Sequence, residues 1–261
     1  MSYSITKKEA KMLAEIRSKY YMIPVLSRID RHFEQLPSHR FPDVFNKLYE
    51  LITDCQNEVI GLIEERKQKG EIKSVEQASR SIVGNIFPFC VIYIFIKNKE
   101  VENINSHIFI TSKKSEVKGF EDISIIKIGE EDTQKPDCDL IIYSYQANTE
   151  LEQLDRCIIL SLKTSMRERA AQTYKWKLLL EIANDANCQV RQKYNISYNI
   201  DKVPLICFVT VNFYNEINNP QQRGMLKFFD RSFLAKELDT QLDFVSPLSD
   251  LVDFVNTELS P

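Results

Sequence analysis

The chain has 261 residues, 43% of them hydrophobic, and its 34 basic and 37 acidic side chains give a formal net charge of −3. This length and apolar content allow a sizeable hydrophobic core, and only six glycines and nine prolines argue against long disordered segments. The charge excludes a protein that is basic over its whole surface, although a local basic patch for DNA is compatible with it.

The six cysteines show no C-x-x-C spacing and no zinc-type pairing with histidine, and several lie inside apolar runs. We therefore expect buried, reduced thiols. The most apolar run, PFCVIYIFIKN, is too short to cross a membrane and is flanked by Pro88 and by charged residues. With no signal-peptide pattern at the N-terminus, we expect a cytoplasmic protein with no membrane partner.

The first part of the chain predicts an added helical subdomain. Residues 5–35 alternate basic and apolar positions at helical spacing, and residues 44–69 form a second amphipathic pattern that ends at Gly70. We assign residues 1–72 to this subdomain and residues 73–261 to the core. This subdomain could form dimer contacts or wrap around DNA, and the sequence does not choose between these two roles.

The core begins with a helix and two short strands. Ser74 is a predicted N-cap, and Gln77 three residues later gives the spacing of a capping box. Residues 107–112 and 123–128 are short β-branched runs separated by a basic turn, which predicts a hairpin or a meander.

The middle of the chain predicts two strands followed by a helix. Asp137 and Asp139 lead into the apolar run 140–142, and a polar linker connects it to the apolar run 157–163. Residues 165–181 then show an apolar stripe at helical spacing with basic side chains on the remaining faces.

These two strands predict a metal-dependent phosphodiesterase. Alternate residues of a strand share a face, so Asp137 lies with Asp139, and Ser161 with Lys163. If the strands pair, two carboxylates and an ammonium group converge. Carboxylate oxygens are the ligands that Mg²⁺ prefers, and a lysine beside the metal can orient water and offset charge that develops on a phosphate.

The C-terminal part predicts a buried strand, a helix and a closing element. Residues 203–212 are almost continuously apolar, as in a strand covered on both faces. A helix is expected to begin near Pro220 and to carry Phe228, Phe229 and Phe233 on an apolar side. A short strand over 242–245 and a helix over 249–259 complete the chain. The first turn at Pro220 holds a polar cluster, suited either to base edges or to ordinary solvation: Gln221, Gln222 and Arg223.

The pattern PD…SLK followed by TSMRERAAQ resembles the PD-(D/E)xK nucleases, and the segment KTSMRER with a later Gln is similar to type II restriction endonucleases. The resemblance covers roughly residues 74–244. It implies a restriction-endonuclease-like α/β fold, with a central mixed β-sheet flanked by helices. It departs from the family at Ser161, where an acid is usual.

The resemblance also implies function. It predicts a homodimer that uses Mg²⁺ to cut both strands of a double-stranded DNA site, leaving 5′-phosphates, and a cognate DNA methyltransferase for the same site. Asp137 and Asp139 would bind metal, Lys163 would activate water, and Ser161 would fill the usual acid position. The residues expected to hold the DNA backbone are Arg167, Arg169 and Gln172.

The sequence leaves open which residue supplies a third acidic group beside Asp137 and Asp139. Glu168 is our first choice, although Ser165 to Glu168 also fits a capping box. Glu181 lies about 20 Å further along the helix. Glu76 is the remaining candidate, and capping explains it equally well.

Two other functions stay open. The same core could serve a structure-specific repair or recombination nuclease. Alternatively, the chain is an inactive DNA-binding protein, in which Ser161 marks a lost acid and Asp137 and Lys163 form an ordinary ion pair.

Overall fold

The computed structural model describes residues 5–145, 154–164, 168–198, 200, 202–211, 219–237 and 245–260, without the side chains of residues 80, 168–172 and 222. The chain divides into two compact units. Unit 1 comprises Met1–Ser106, Leu234–Thr240 and Pro247–Asn256; unit 2 comprises His107–Phe233, Gln241–Ser246 and Thr257–Pro261. The domain boundary predicted at residue 72 lies within unit 1 and stays a prediction.

Unit 1 is built from helices. The predicted helix over residues 5–35 is two helices separated by a 3-10 turn at Tyr20–Met22. Pro24 lies in the first turn of the second, where a missing N–H removes no helical hydrogen bond. Cys55 separates the next two helices, and Gly70, at φ 77°, follows their end as predicted. The helices are α1 (Lys7–Arg17), α2 (Ile23–Gln35), α3 (Leu48–Asp54), α4 (Gln56–Gln68) and α5 (Val75–Glu100).

Helix α5 supplies much of the core of unit 1. The hydroxyl of Ser74 accepts a hydrogen bond from the Gln77 amide, which confirms the predicted N-cap. Pro88 was expected to flank the apolar run, but it lies inside the helix, which spans 26 residues. By length and composition alone this helix is apolar enough to cross a membrane. Its side chains from Val91 to Ile96 are all buried, which is the position of a core helix.

A buried ion pair joins α1 to α5. The Lys99 ammonium lies 2.6 Å from a carboxylate oxygen of Glu9, and the two side chains are 2% and 1% exposed. The other carboxylate oxygen of Glu9 accepts a hydrogen bond from the Thr6 amide at the start of α1. Burial lowers the pKa of Lys99 from its usual value, and the facing carboxylate opposes that effect.

Glu9→Gln is expected to destabilise the protein by about 3–5 kcal/mol, because it leaves a buried ammonium facing a neutral amide. Urea unfolding followed by far-UV circular dichroism measures this change. Asp43→Asn is the control, since its ion pair with Arg40 is exposed and is worth no more than about 1 kcal/mol. Equal losses in the two variants would contradict the prediction.

Unit 2 contains the β-sheets. Its strands, with β8 and β9 reaching its boundary, are β1 (Ile108–Thr111), β2 (Ile126–Ile128), β3 (Asp132–Gln134), β4 (Leu140–Tyr145), β5 (Leu154–Lys163), β6 (Ile196–Ser197), β7 (Leu205–Thr210), β8 (Arg231–Leu234) and β9 (Ser246–Pro247). The later helices of unit 2 are α6 (Phe120–Ser124), α7 (Glu168–Asn184), α8 (Gln189–Lys193) and α9 (Pro220–Met225). The last helix, α10 (Leu251–Glu258), belongs to unit 1 up to Asn256.

Six strands form the central sheet, in the order β1-β4-β5-β7-β8-β9. Strand β4 is antiparallel to β1 and β5, whereas β5 is parallel to β7. Strand β5 is buried from Cys157 onward and β7 from Ile206 onward, as expected for strands covered on both faces. The predicted α/β class, with a mixed central sheet flanked by helices, is confirmed.

The predicted hairpin between residues 107–112 and 123–128 is wrong. Strand β1 pairs with β4, while β2 pairs with β3 and β6 in a separate sheet. Gly119, at φ 81°, leads into helix α6, which takes up the beginning of the second predicted run. The turn that does connect neighbouring strands, β2 and β3, contains Gly129 at φ 65°.

The C-terminal predictions are confirmed in part. Helix α9 begins at Pro220 after the N-cap Asn219, as expected, but it ends at Met225. Phe228 is therefore exposed and Phe233 belongs to β8, so they do not share an apolar helix side. Helix α10 confirms the closing helix. The predicted strand over 242–245 falls mostly outside the described residues.

Candidate active site

The site lies where β4 begins and β5 ends. These strands pair antiparallel, with Leu140 opposite Leu160, and the Asp139 amide donates to the Leu160 carbonyl at 3.0 Å. The two aspartates that precede β4 therefore lie beside the last residues of β5. Strand pairing alone brings together groups that are more than twenty residues apart in sequence.

Lys163 contacts both aspartates. Its Nζ lies 2.7 Å from Oδ2 of Asp137 and 2.8 Å from Oδ2 of Asp139. The same Asp139 oxygen accepts a hydrogen bond of 2.7 Å from the Leu162 amide. Asp139 is thus held by the Leu162 backbone and by the Lys163 side chain. Within the described part of the chain, the contact of Asp137 is with Lys163. The structure brings together three of the residues selected from the sequence.

The lysine of the cluster is buried, whereas the two aspartates are partly exposed to solvent. The Lys163 side chain is 8% exposed, while those of Asp137 and Asp139 are 35% and 29% exposed. Two carboxylates face one ammonium group, so the cluster has an excess of one negative charge. An accessible cluster with this imbalance can attract a cation from solvent.

The thiol of Cys138, between the two aspartates in sequence, takes no part in this chemistry. Burial raises the pKa of Cys138 to about 12. The thiol therefore stays protonated at neutral pH, and the thiolate is the form that attacks or binds metal. All six cysteines are free, and four of them are buried, as expected from the apolar runs that contain them.

Ser161 is fully buried and contacts helix α7. Its Oγ lies 3.0 Å from Oγ1 of Thr173, which is also fully buried. The position where an acid is usual in similar nucleases is therefore occupied by a hydrogen-bonded hydroxyl pair. Thr173 was not selected from the sequence. It lies on one helical stripe with Trp176, Lys177 and Leu180, a spacing that identifies a face packed on the sheet.

Ser161→Glu is expected to destabilise the protein by about 3 kcal/mol or more, because a longer side chain brings a carboxylate to a fully buried position. Ser161→Ala should cost about 1 kcal/mol, since Thr173 loses this hydrogen bond. The double variant Ser161→Ala/Thr173→Val should recover part of that loss, because both hydroxyls of the hydrogen bond are then removed and neither stays buried without the other. Urea unfolding of the series tests this order, and a glutamate variant as stable as the wild type would contradict it.

Of the candidate third acids, Glu181 has a described ion pair with a residue outside the cluster. Glu181 pairs with Lys177 at 3.4 Å, and Lys177 in turn contacts Asp230 at 2.7 Å. Glu76 belongs to unit 1. The side chain of Glu168, at the start of α7, lies outside the described residues. Within the described part of the chain, no three acidic, cysteine or histidine side chains form a group that could hold a metal.

The predicted DNA contacts fall in two places. Arg167 lies outside the described residues, and so do the side chains of Arg169, Gln172 and Gln222. The Gln221 amide is bonded to the N-cap oxygen of Asn219, and the Gln221 side chain is exposed. Arg223 is half-buried in the same short helix. Among the described side chains, neither Gln221 nor Arg223 has a contact with Lys163.

The fold and the paired-strand cluster define an α/β protein of the restriction-endonuclease-like class. A family model described as BsaWI restriction endonuclease type 2 matches residues 114–254, more than half of the chain. The chain belongs to this family and is a type II restriction endonuclease, a site-specific deoxyribonuclease of double-stranded DNA. We found no match among curated proteins. The family match includes both strands of the cluster and confirms the resemblance to type II restriction endonucleases.

Proposed function

We propose that this endonuclease uses Mg²⁺ to hydrolyse one phosphodiester bond in each strand of a short DNA site, leaving 5′-phosphates. The observation that carries the proposal is the contact of Lys163 with both Asp137 and Asp139, at 2.7 and 2.8 Å. An ammonium group and carboxylates that are brought together by paired strands are the kinds of group that the PD-(D/E)xK motif combines, although both carboxylates here come from the segment before β4. The variant motif in this chain has Ser161 in place of the acid.

The donor set fits Mg²⁺. This ion is commonly held by one or two carboxylates, while waters and substrate phosphates complete its octahedral shell. Asp137 and Asp139 would hold it, with Glu168 as the proposed third acid. The excess negative charge of the cluster favours the binding of a divalent cation. When bound, the ion would polarise the phosphate and lower the pKa of a bound water.

Lys163 has the central role among the residues of the chain. It orients the attacking water and offsets the negative charge that develops on the phosphate. Two carboxylates fix its ammonium group in advance, so little reorganisation is needed during the reaction. Ser161 contributes through Thr173, which holds the end of β5 against α7.

DNA contacts come from the two helices that follow β5 and β7. Arg169 and Gln172 of α7, together with Arg167 shortly before that helix in sequence, hold the DNA backbone close to Lys163. Glutamine can pair bidentately with adenine, and arginine with guanine. The polar residues in the first turn of α9 are therefore suited to contact base edges. These residues are Gln221, Gln222 and Arg223.

Homodimerisation fits this reaction, because two copies related by two-fold symmetry can cut both strands of a palindromic site. A cognate methyltransferase would protect the same site in the host DNA, and the enzyme would act in the cytoplasm. The helices of the first 72 residues are proposed to serve the dimer or to embrace the DNA.

One observation favours a second function, an inactive DNA-binding protein. The acid position is filled by a buried serine, and Lys163 already has two carboxylate partners, as in a structural ion pair. Binding of DNA without cleavage is the result that distinguishes this function.

The test is incubation of the wild-type protein with long duplex DNA of known sequence, in Mg²⁺ and in EDTA. Discrete fragments that appear only with Mg²⁺ are expected, and their end sequences give the site and the position of the 5′-phosphate. Intact DNA in Mg²⁺ would overturn the proposal. Cleavage confined to branched or junction DNA would favour a structure-specific nuclease instead.

A further inference from the structure

A cavity of about 440 Å³ lies directly beside the cluster, within unit 2. Its lining includes Asp137, Lys135 and Gln134 on the segment before β4, and Lys175 and Trp176 on helix α7. We refer to these five residues as the lysine groove. One acidic member, Asp137, belongs to the cluster itself, so whatever occupies the groove lies next to the proposed reaction centre.

The groove presents two accessible cations. Lys175 is exposed, and the Lys135 side chain is 52% exposed. Lys135 pairs with Glu121 at 3.2 Å, but the Glu121 side chain is 81% exposed. A pair this open to solvent contributes little to stability, so an incoming anion can replace Glu121.

The wall behind the lysines is buried and hydrogen-bonded to neighbouring segments. Trp176 is 4% exposed, and its Nε1 lies 3.5 Å from the Gln134 carbonyl oxygen. The next residue of α7, the buried Lys177, is paired with Asp230, which also accepts a hydrogen bond from the Ile206 amide at 2.7 Å. Lys175 therefore projects from a helix that is fixed to the sheet, while its own ammonium group remains exposed.

We propose that the lysine groove binds the DNA backbone next to the scissile phosphate, with Lys135 and Lys175 each contacting a phosphate. This inference rests on the proposed function. A DNA strand carries one phosphate per about 3.4 Å of helix axis, so a strand whose scissile phosphate is at Asp137 brings its neighbours to an adjoining basic groove. Two flexible ammonium groups over an open surface suit a repeated point charge, and they position the strand without reading its sequence.

The test is the salt dependence of DNA binding. Fluorescence anisotropy with a labelled duplex in EDTA avoids cleavage, and no recognition site is needed because phosphate contacts are independent of sequence. Lys175→Gln and Lys135→Gln should each reduce the slope of log K against log salt by about 0.9, and weaken binding about eightfold at 0.1 M monovalent salt. Glu121→Gln should act in the opposite direction and strengthen binding.

Lys202→Gln is the matched control. Lys202 is also half exposed and pairs with an aspartate, Asp155, at 2.7 Å. Asp155 lies near the start of β5, about 26 Å along the strand from Lys163. This variant should keep the wild-type slope.

Wild-type slopes for both groove variants would overturn the inference, and so would an equal reduction in Lys202→Gln, because the effect would then be one of net charge only. Mg²⁺-dependent cleavage by the wild type tests the proposed function separately. A wild type that cuts DNA while the groove variants keep its slope would overturn the groove alone.

Discussion

Lys163→Ala is expected to lower the rate of DNA cleavage by at least about 10³-fold while leaving DNA binding within a few-fold of the wild type. The loss combines the positioning of water with the stabilisation of charge on the phosphate, each of which contributes about 10²-fold or more in characterised enzymes. Single-turnover cleavage in Mg²⁺ measures the chemical step, and anisotropy in EDTA measures binding.

Two further variants give this experiment its controls. Lys163→Arg keeps the positive charge, but its planar group does not reproduce the point contact with two carboxylates, so it should also fail to cut. Lys202→Ala removes a lysine with the same 2.7 Å contact to an aspartate, at the other end of β5, and should cut normally. Cleavage by Lys163→Ala within tenfold of the wild type would contradict the assigned role of this residue.

The convergence of the cluster was predictable because it depends on short-range rules. Alternation along a strand assigned Asp137 to the face of Asp139, and Ser161 to that of Lys163. The apolar runs on either side identified two neighbouring strands. Their antiparallel pairing was the one remaining assumption, and the register of Leu140 with Leu160 supplies it.

The polar partners were harder to predict. Asp230 follows α9, yet it binds Lys177 of α7 and the backbone of β7. No local pattern indicates a contact across 53 residues of sequence. The role of Thr173 could not be predicted either. A threonine on the apolar side of a helix indicates only that it is buried, and its hydrogen bond with Ser161 depends on which strand packs against that helix. The hairpin was wrong for the same reason: β-branched runs indicate strands, but the partner of each strand depends on the whole sheet.

Substitution of the two aspartates should separate catalysis from folding. Asp137→Ala and Asp139→Ala are each expected to reduce cleavage by about 10³-fold or more, because each removes a proposed metal ligand and a partner of Lys163. Asp139→Ala should also cost about 1.5–3 kcal/mol of stability, since its carboxylate accepts from the Leu162 amide as well as from Lys163. Asp137→Ala should cost no more than about 1 kcal/mol, because its described contact is a single, partly exposed ion pair.

A thermal shift assay with and without Mg²⁺ tests the metal role independently of activity. An ion that binds only the folded state stabilises it by mass action, so millimolar Mg²⁺ should raise the melting temperature of the wild type. Both aspartate variants should lose that increase. Asp155→Ala is the matched control, since Asp155 also contacts a lysine at 2.7 Å but lies far from the cluster, and it should keep the increase. If both cluster variants kept the wild-type response, Asp137 and Asp139 would not be the ligands, and Lys163 would be part of an ordinary ion pair at the end of β5.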